Sequence, residues 1–275
     1  MMKRLLVFCA ALAMVSGCKK DEETQNPDDA TETPAETGDE ESSEPAEPEV
    51  PQEPDPPEIA AARLQVLATD FAPAAATLEP LVKDLTDRQQ FRASGLAAAW
   101  YALSLVSDIA ENAKEPAEYA VSMADKTQDP EVIAAAYTAL GAYQLGIESF
   151  EEAAKSLKKA YDADQQGPEA ALAMIVSSEV RIAMAFGGTD QITKPEELDV
   201  AETALSKAKE LATAQGSDIL LGRALVNEAA IARYRRDQKK ACKLLAEGME
   251  KYEAASAAEY LTSGAQALKD AAFCK

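Results

Sequence analysis

The 275-residue chain contains no histidine, one tryptophan and four cysteines, and aromatic residues make up only 5% of it. Without histidine, a Ser-His-Asp or Cys-His nucleophile, a His-ligated zinc and an HExxH metalloprotease site are all excluded. Positive charge is scarce too: 27 Lys plus Arg face 48 Asp plus Glu, a formal net charge of −21. Such a charge repels phosphate backbones, which removes nucleic acid as a partner class. No GxxxxGK[ST] loop and no CxxC pair occurs, and Gly187-Gly188 follows a helical stretch. Glu151-Glu152 and Glu196-Glu197 lie at predicted helix starts, where carboxylates favour the helix dipole. Nothing localises a carboxylate dyad or an activated lysine. The expectation is a protein that is not an enzyme, with no metal and no cofactor.

What is present begins with an address. Lys3 and Arg4 precede eleven apolar residues, Leu5 to Val15. Eleven helical residues rise about 16 Å, well short of a ~30 Å hydrocarbon core, so this stretch reads as a secretory signal. Its end, Val15-Ser16-Gly17-Cys18, resembles the lipobox of bacterial lipoproteins. That resemblance implies cleavage after residue 17 and acylation of Cys18, with Cys9 leaving in the signal peptide. It also implies two or three acyl chains, where a single chain holds only weakly. Lys19 lacks the aspartate that retains such proteins in the inner membrane, which points to the outer membrane, facing the periplasm. Lys20-Asp21-Glu22-Glu23 also resembles a surface-export signal, so exposure on the cell surface stays open.

Residues 19–57 carry fifteen Asp or Glu against two Lys, together with eight of the fourteen prolines, and Val50 is their only large aliphatic residue. Such a segment has too little apolar surface to offset its ordering entropy and reads as a disordered, extended tether. The organisation expected is therefore a signal peptide over 1–17, a lipid-anchored acidic linker over 18–57 and a folded body over 58–275.

Fifty-one of the 218 residues of that body are alanine, and helix formers run between Gly, Pro, Asp and Ser breaks without strand alternation. The predicted helices are 58–70, 74–86, 89–112, 115–127, 130–145, 149–163, 168–186, 195–214, 217–236, 238–253 and 257–272. Short connections make sequence neighbours antiparallel. Ser149-Phe150-Glu151-Glu152 and Ser256-Ala257-Ala258-Glu259 read as capping boxes, and Pro130, Pro168 and Pro195 suit first turns. The stretch 168–186 is the most apolar, yet Glu179 and Arg181 near its middle favour a buried inter-helical position over a membrane span.

Tyr137, Leu140, Gly141, Ala153, Leu157 and Ala160 stand at the spacing of an internal repeat. Trp100 and Leu103 precede their counterparts by 37 residues, and Ala117, Val121 and Ala124 precede theirs by 36. Ala201-Leu205-Ala208 and Ala241-Leu245-Gly248 keep only the +4, +3 spacing. This pattern resembles the tetratricopeptide repeat over about 97–167, with Gln144 where that family places a tyrosine and Ser104 where it places glycine. The fold implied is all-α: antiparallel helix hairpins stacked as a tetratricopeptide-like right-handed solenoid after the acidic linker.

Such arrays present a groove for a peptide or partner helix. Arg181, Arg223, Asn227 and Arg233 lie on candidate groove helices and are the candidate partner-binding residues. Equally, the arginines can pair with Glu179, Glu228 and Asp237. Two functions follow: a lipid-anchored envelope scaffold that binds a protein or peptide partner, or a lipoprotein enclosing a small molecule or peptide. Finally, Cys242 and Cys274 lie where two antiparallel helices bring their ends together. In an oxidising compartment they are expected to form a disulfide, the alternative being two thiols.

Overall fold

The computed structural model describes residues 53–189 and 191–274. Among them are eleven α-helices and no strand. They are α1 (Pro57–Leu67), α2 (Phe71–Asp87), α3 (Phe91–Val106), α4 (Lys114–Thr127), α5 (Pro130–Gly146), α6 (Phe150–Ala163), α7 (Ala170–Phe186), α8 (Glu196–Ala214), α9 (Asp218–Tyr234), α10 (Gln238–Ala254) and α11 (Glu259–Ala271). Successive helices pack as hairpins, and each odd-numbered helix from α1 to α7 also packs on the next odd-numbered one. The chain is an all-α solenoid. The odd-numbered helices form its inner row, and the even-numbered helices lean on the outside. Among the described residues no helix is long and apolar enough to cross a membrane.

Composition accounts for the two rows. In α3, twelve of sixteen residues are buried, including Ala97, Ala98 and Ala99 in succession, so the helix is enclosed on every side. In α4 only Ala117, Ala120 and Ala124 are buried, the single stripe of a surface helix. Alanine suits both, because it forms helix readily and lets axes approach closely. Between α5 and α6 the packing is tight at Gly141. A Cβ there would lie 2.6 Å from Leu157 Cγ, closer than carbon atoms pack.

The turns repeat as well. Thr69, Gln89, Glu148, Gly216, Arg236 and Ser256 each adopt a left-handed conformation just past a helix end. In every case the next residue's N–H donates to a carbonyl five positions back, for instance Asp70 to Gln65 at 2.8 Å and Asp237 to Ala232 at 2.9 Å. This bond satisfies a carbonyl that the helix end leaves open. Thr69 and Gln89 lie twenty residues apart, as do Gly216, Arg236 and Ser256, giving the array its pitch in sequence.

Three local expectations need correction. The helix expected over 89–112 ends at Val106; Ile109 is extended, and a 3-10 turn over Ala110–Ala113 leads into α4. The break lets α4 run back along α3, which an unbroken helix cannot do. The Ser149 side chain makes no capping bond, and Ser256 lies in the turn before the true cap, Ala258. Side-chain caps occur instead at Asp129, Ser217 and Asp237.

The apolar interior has two parts. A large one runs from α1 through α9, and a smaller one joins α9, α10 and α11. Cys242 and Cys274 form a disulfide with Cα atoms 5.4 Å apart, joining the start of α10 to the residues just past α11.

Candidate functional site

Two of the four candidate contact residues come together. Glu179 on α7 accepts a hydrogen bond from Asn227 Nδ2 at 3.0 Å and lies 3.5 Å from Arg223 Nη2, both on α9. All three are withdrawn from water, Arg223 to 2% exposure. Burial pushes the Glu179 carboxyl above its ordinary range, while Arg223 and Asn227 hold it down. The geometry thus realises the pairing alternative for Arg223, with Glu179 as its acid. The amphipathic pattern cannot separate these outcomes, because a polar residue on an inner helix reads alike as groove wall or as buried pair.

The other two stand apart. Arg181 donates to Glu197 Oε2 at 3.0 Å, tying α7 to the first turn of α8. Arg233 donates from Nε to the Ala271 carbonyl at 3.3 Å, satisfying an open carbonyl at the end of α11. Glu228 pairs with Lys209 and Lys240 rather than with an arginine. Asp237 caps α10 through Lys240 N. The four residues therefore share no common face. Cys18, the expected lipid attachment point, lies outside the described residues.

A second constellation was not foreseen. Arg63 on α1 crosses to the beginning of α7, where Nη2 donates to the Pro168 carbonyl at 3.0 Å and Nε lies 3.4 Å from Glu169 Oε1. Its guanidinium also sits 5.5 Å from the centroid of the Trp100 ring, on α3. Trp100 and Glu169 are almost wholly buried. Burial pushes the Glu169 carboxyl up to about 7, with Glu131 and Asp164 adding to the rise and Arg63 opposing it. No local pattern announces this contact, since 106 residues separate its partners.

The segment ahead of α1 is fastened beside it. Arg92, at the start of α3, pairs with Asp55, Asp129 and Glu131. Arg88 pairs with Glu53, and Glu53 N donates to Gln90 Oε1 at 2.7 Å. Among the described residues the body's contacts reach back to Glu53, five residues ahead of the boundary drawn from composition. Glu53 and Asp55 look like linker because they sit among prolines, and the arginines that receive them lie about 35 residues away.

An open cleft of about 520 Å³ lies between α3 and α4, lined by Tyr101, Leu105, Glu111, Asn112, Lys114, Glu115 and Glu118. Among the described residues no group of three His, Cys, Asp or Glu side chains is placed to hold a metal ion. Compared with protein-family models and with curated proteins, the chain matches none.

Proposed function

We propose that the protein is a lipid-anchored scaffold of the bacterial cell envelope that binds a protein or peptide partner along its helical array. The observation that carries this reading is the array itself. Among the described residues eleven helices in repeated hairpins make an array whose inner row is packed with alanine, leaving the outer helices, their ends and the open α3–α4 cleft for contact. Stacked repeats of this kind act mainly by offering extended surface to other proteins. Tetratricopeptide-like spacing at Ala153, Leu157 and Ala160 supports the same reading, since these residues are wholly buried on α6 as that repeat requires.

Cys18 holds the lipid, and the acidic, proline-rich residues 19–52 carry the body away from an anionic membrane surface. Lys19 favours residence in the outer membrane, facing the periplasm. A photo-reactive residue placed in turn along the exposed faces of α2, α4, α6 and α10 tests the function in intact cells. A saturable cross-link to one envelope protein, confined to contiguous positions, is expected. A body that cross-links to nothing, and instead retains a small molecule through native purification, contradicts it. Mass spectrometry of the mature N-terminus tests the anchor separately, and a start anywhere but an acylated residue 18 removes it.

A further inference from the structure

Through Arg63, α1 reaches Trp100 on α3 and Glu169 at the beginning of α7. Its eleven residues bury Ile59, Ala62, Val66 and Leu67, while Leu64 stays 64% exposed. Ile59, Ala62 and Val66 form one stripe at i, i+3 and i+7, and Arg63 projects beside it to Trp100, Pro168 and Glu169. An apolar stripe with a flanking charged anchor is how a recognition helix lies on a receptor surface. We propose that α1 is a built-in occupant of a helix-docking surface formed by α2, α3 and, through Pro168 and Glu169, the beginning of α7, and that a partner supplies a helix of the same chemistry in its place. This rests on the scaffold reading above.

Four observations support exchange. The helix is shorter than the ~12–15 residues that hold a helix together in isolation, so its order comes from the surface beneath it. Among the described helices it is the first, and it packs chiefly on α2 and α3, so it can leave without disrupting a hairpin in the middle. The turn behind it holds Thr69, a β-branched residue, at φ 64°, a conformation such residues avoid. The pairs that hold the preceding segment include the half-exposed Arg88–Glu53, a weak class of contact.

The vacated surface has a definite preference. Removing Arg63 takes away the cation beside Glu169 Oε1 and the donor to the Pro168 carbonyl, while Glu131 stays paired with Arg92. It also leaves the Trp100 face without its guanidinium. The helix that fits carries aliphatic or small residues at i, i+3 and i+7 and an arginine at i+4. Lysine is a poorer fit, because a guanidinium can serve the carboxylate, the Pro168 carbonyl and the ring together.

Trp100 is the chain's sole tryptophan and reports on this surface directly. The test uses the full chain, as wild type and with Ala62→Asp, which places a charge in the buried stripe. A synthetic peptide of residues 57–67 and its Arg63→Glu counterpart are the probes. In the A62D chain, amide protection over 57–67 should fall while α3 to α9 stay protected, and Trp100 emission should move to the red. The 57–67 peptide should then bind at least tenfold more tightly to the A62D chain than to wild type and return the emission to the blue. The Arg63→Glu peptide should bind at least tenfold more weakly. The milder Arg63→Ala chain should show the same red shift in part. Loss of protection throughout α3 to α7 in both variants overturns the proposal, as does a released α1 with no peptide binding or with equal binding of both peptides. The assay needs no envelope partner, so its outcome is independent of whether the scaffold reading holds.

Discussion

The two ends of the array are closed by single helices fastened in different ways. At one end α1 is held by an arginine reaching a buried carboxylate, with charge pairs on the segment before it. At the other, α11 packs chiefly on α10, has its last carbonyls bound by Arg233 and Gln238, and is tied by the Cys242–Cys274 bond. End caps matter in repeat proteins because the terminal hairpin has only one neighbour against which to bury its apolar face. A covalent tie does not depend on pH or salt. A set of ion pairs depends on both. The α1 end is therefore the adjustable one, and the α11 end is fixed while it stays oxidised.

The middle of the array sets the scale for any such comparison. Glu179→Ala leaves Arg223 buried without its carboxylate, and removing one member of a buried pair costs about 3–5 kcal/mol. Denaturant unfolding should show the unfolding free energy falling by that amount, with Trp100 and α11 both reporting the same global transition. Separate transitions for the two reporters would mean that the α7–α9 locus does not hold the ends together.

The α11 end comes next. Cys242→Ser should cost roughly 3–4 kcal/mol, from loop closure over 32 residues, and should loosen α11 without moving Trp100 emission. A red shift at Trp100 in this variant would couple the two ends and break the contrast.

For the α1 end the lever is pH. Glu169 titrates at about 7 in the folded chain, above an ordinary value of 4.5, so the folded form holds a proton that the unfolded form has already lost between those values. The contribution of this group to stability is therefore full below about pH 4.5 and falls as pH rises through 7. Glu169→Gln mimics the protonated state. It should match wild type near pH 5 and exceed it by up to about 3 kcal/mol above pH 8, as read by urea titration across that range. A constant difference at all pH values would show that Arg63 compensates the charge fully. The smallest effect belongs to the exposed clasp: Arg88→Ala should leave the urea midpoint close to that of wild type, and closer still at high salt.

The same two ends divide what the chain discloses as sequence from what it conceals. Hairpins and their order are legible because Gly, Pro, Asp and Ser punctuate alanine-rich runs, and the +4, +3 triplets mark the buried face of the outer helices. Ala201-Leu205-Ala208 on α8 and Ala241-Leu245 on α10 are as fully buried as Ala153-Leu157-Ala160 on α6, although the repeat consensus around them has faded. Packing geometry outlasts the motif, because it needs only small and aliphatic residues at that spacing. The Cys242–Cys274 juxtaposition follows from counting along two antiparallel helices. Arg63 with Glu169 cannot be obtained this way. Their meeting depends on the curvature of the whole array, which accumulates from small rotations at each hairpin. Nor can the break at Ile109 be read, since Leu105 and Val106 extend helically as well as they end a helix.

Native-state hydrogen exchange on the full oxidised chain tests the account's central claim, that α1 is the releasable end, most directly. Amides of 59–67 should open at markedly lower free energy than those of α3 to α9, with α11 remaining protected until the disulfide is reduced. Exchange of α1 only through global unfolding, or opening of α11 before α1 in the oxidised chain, would contradict it.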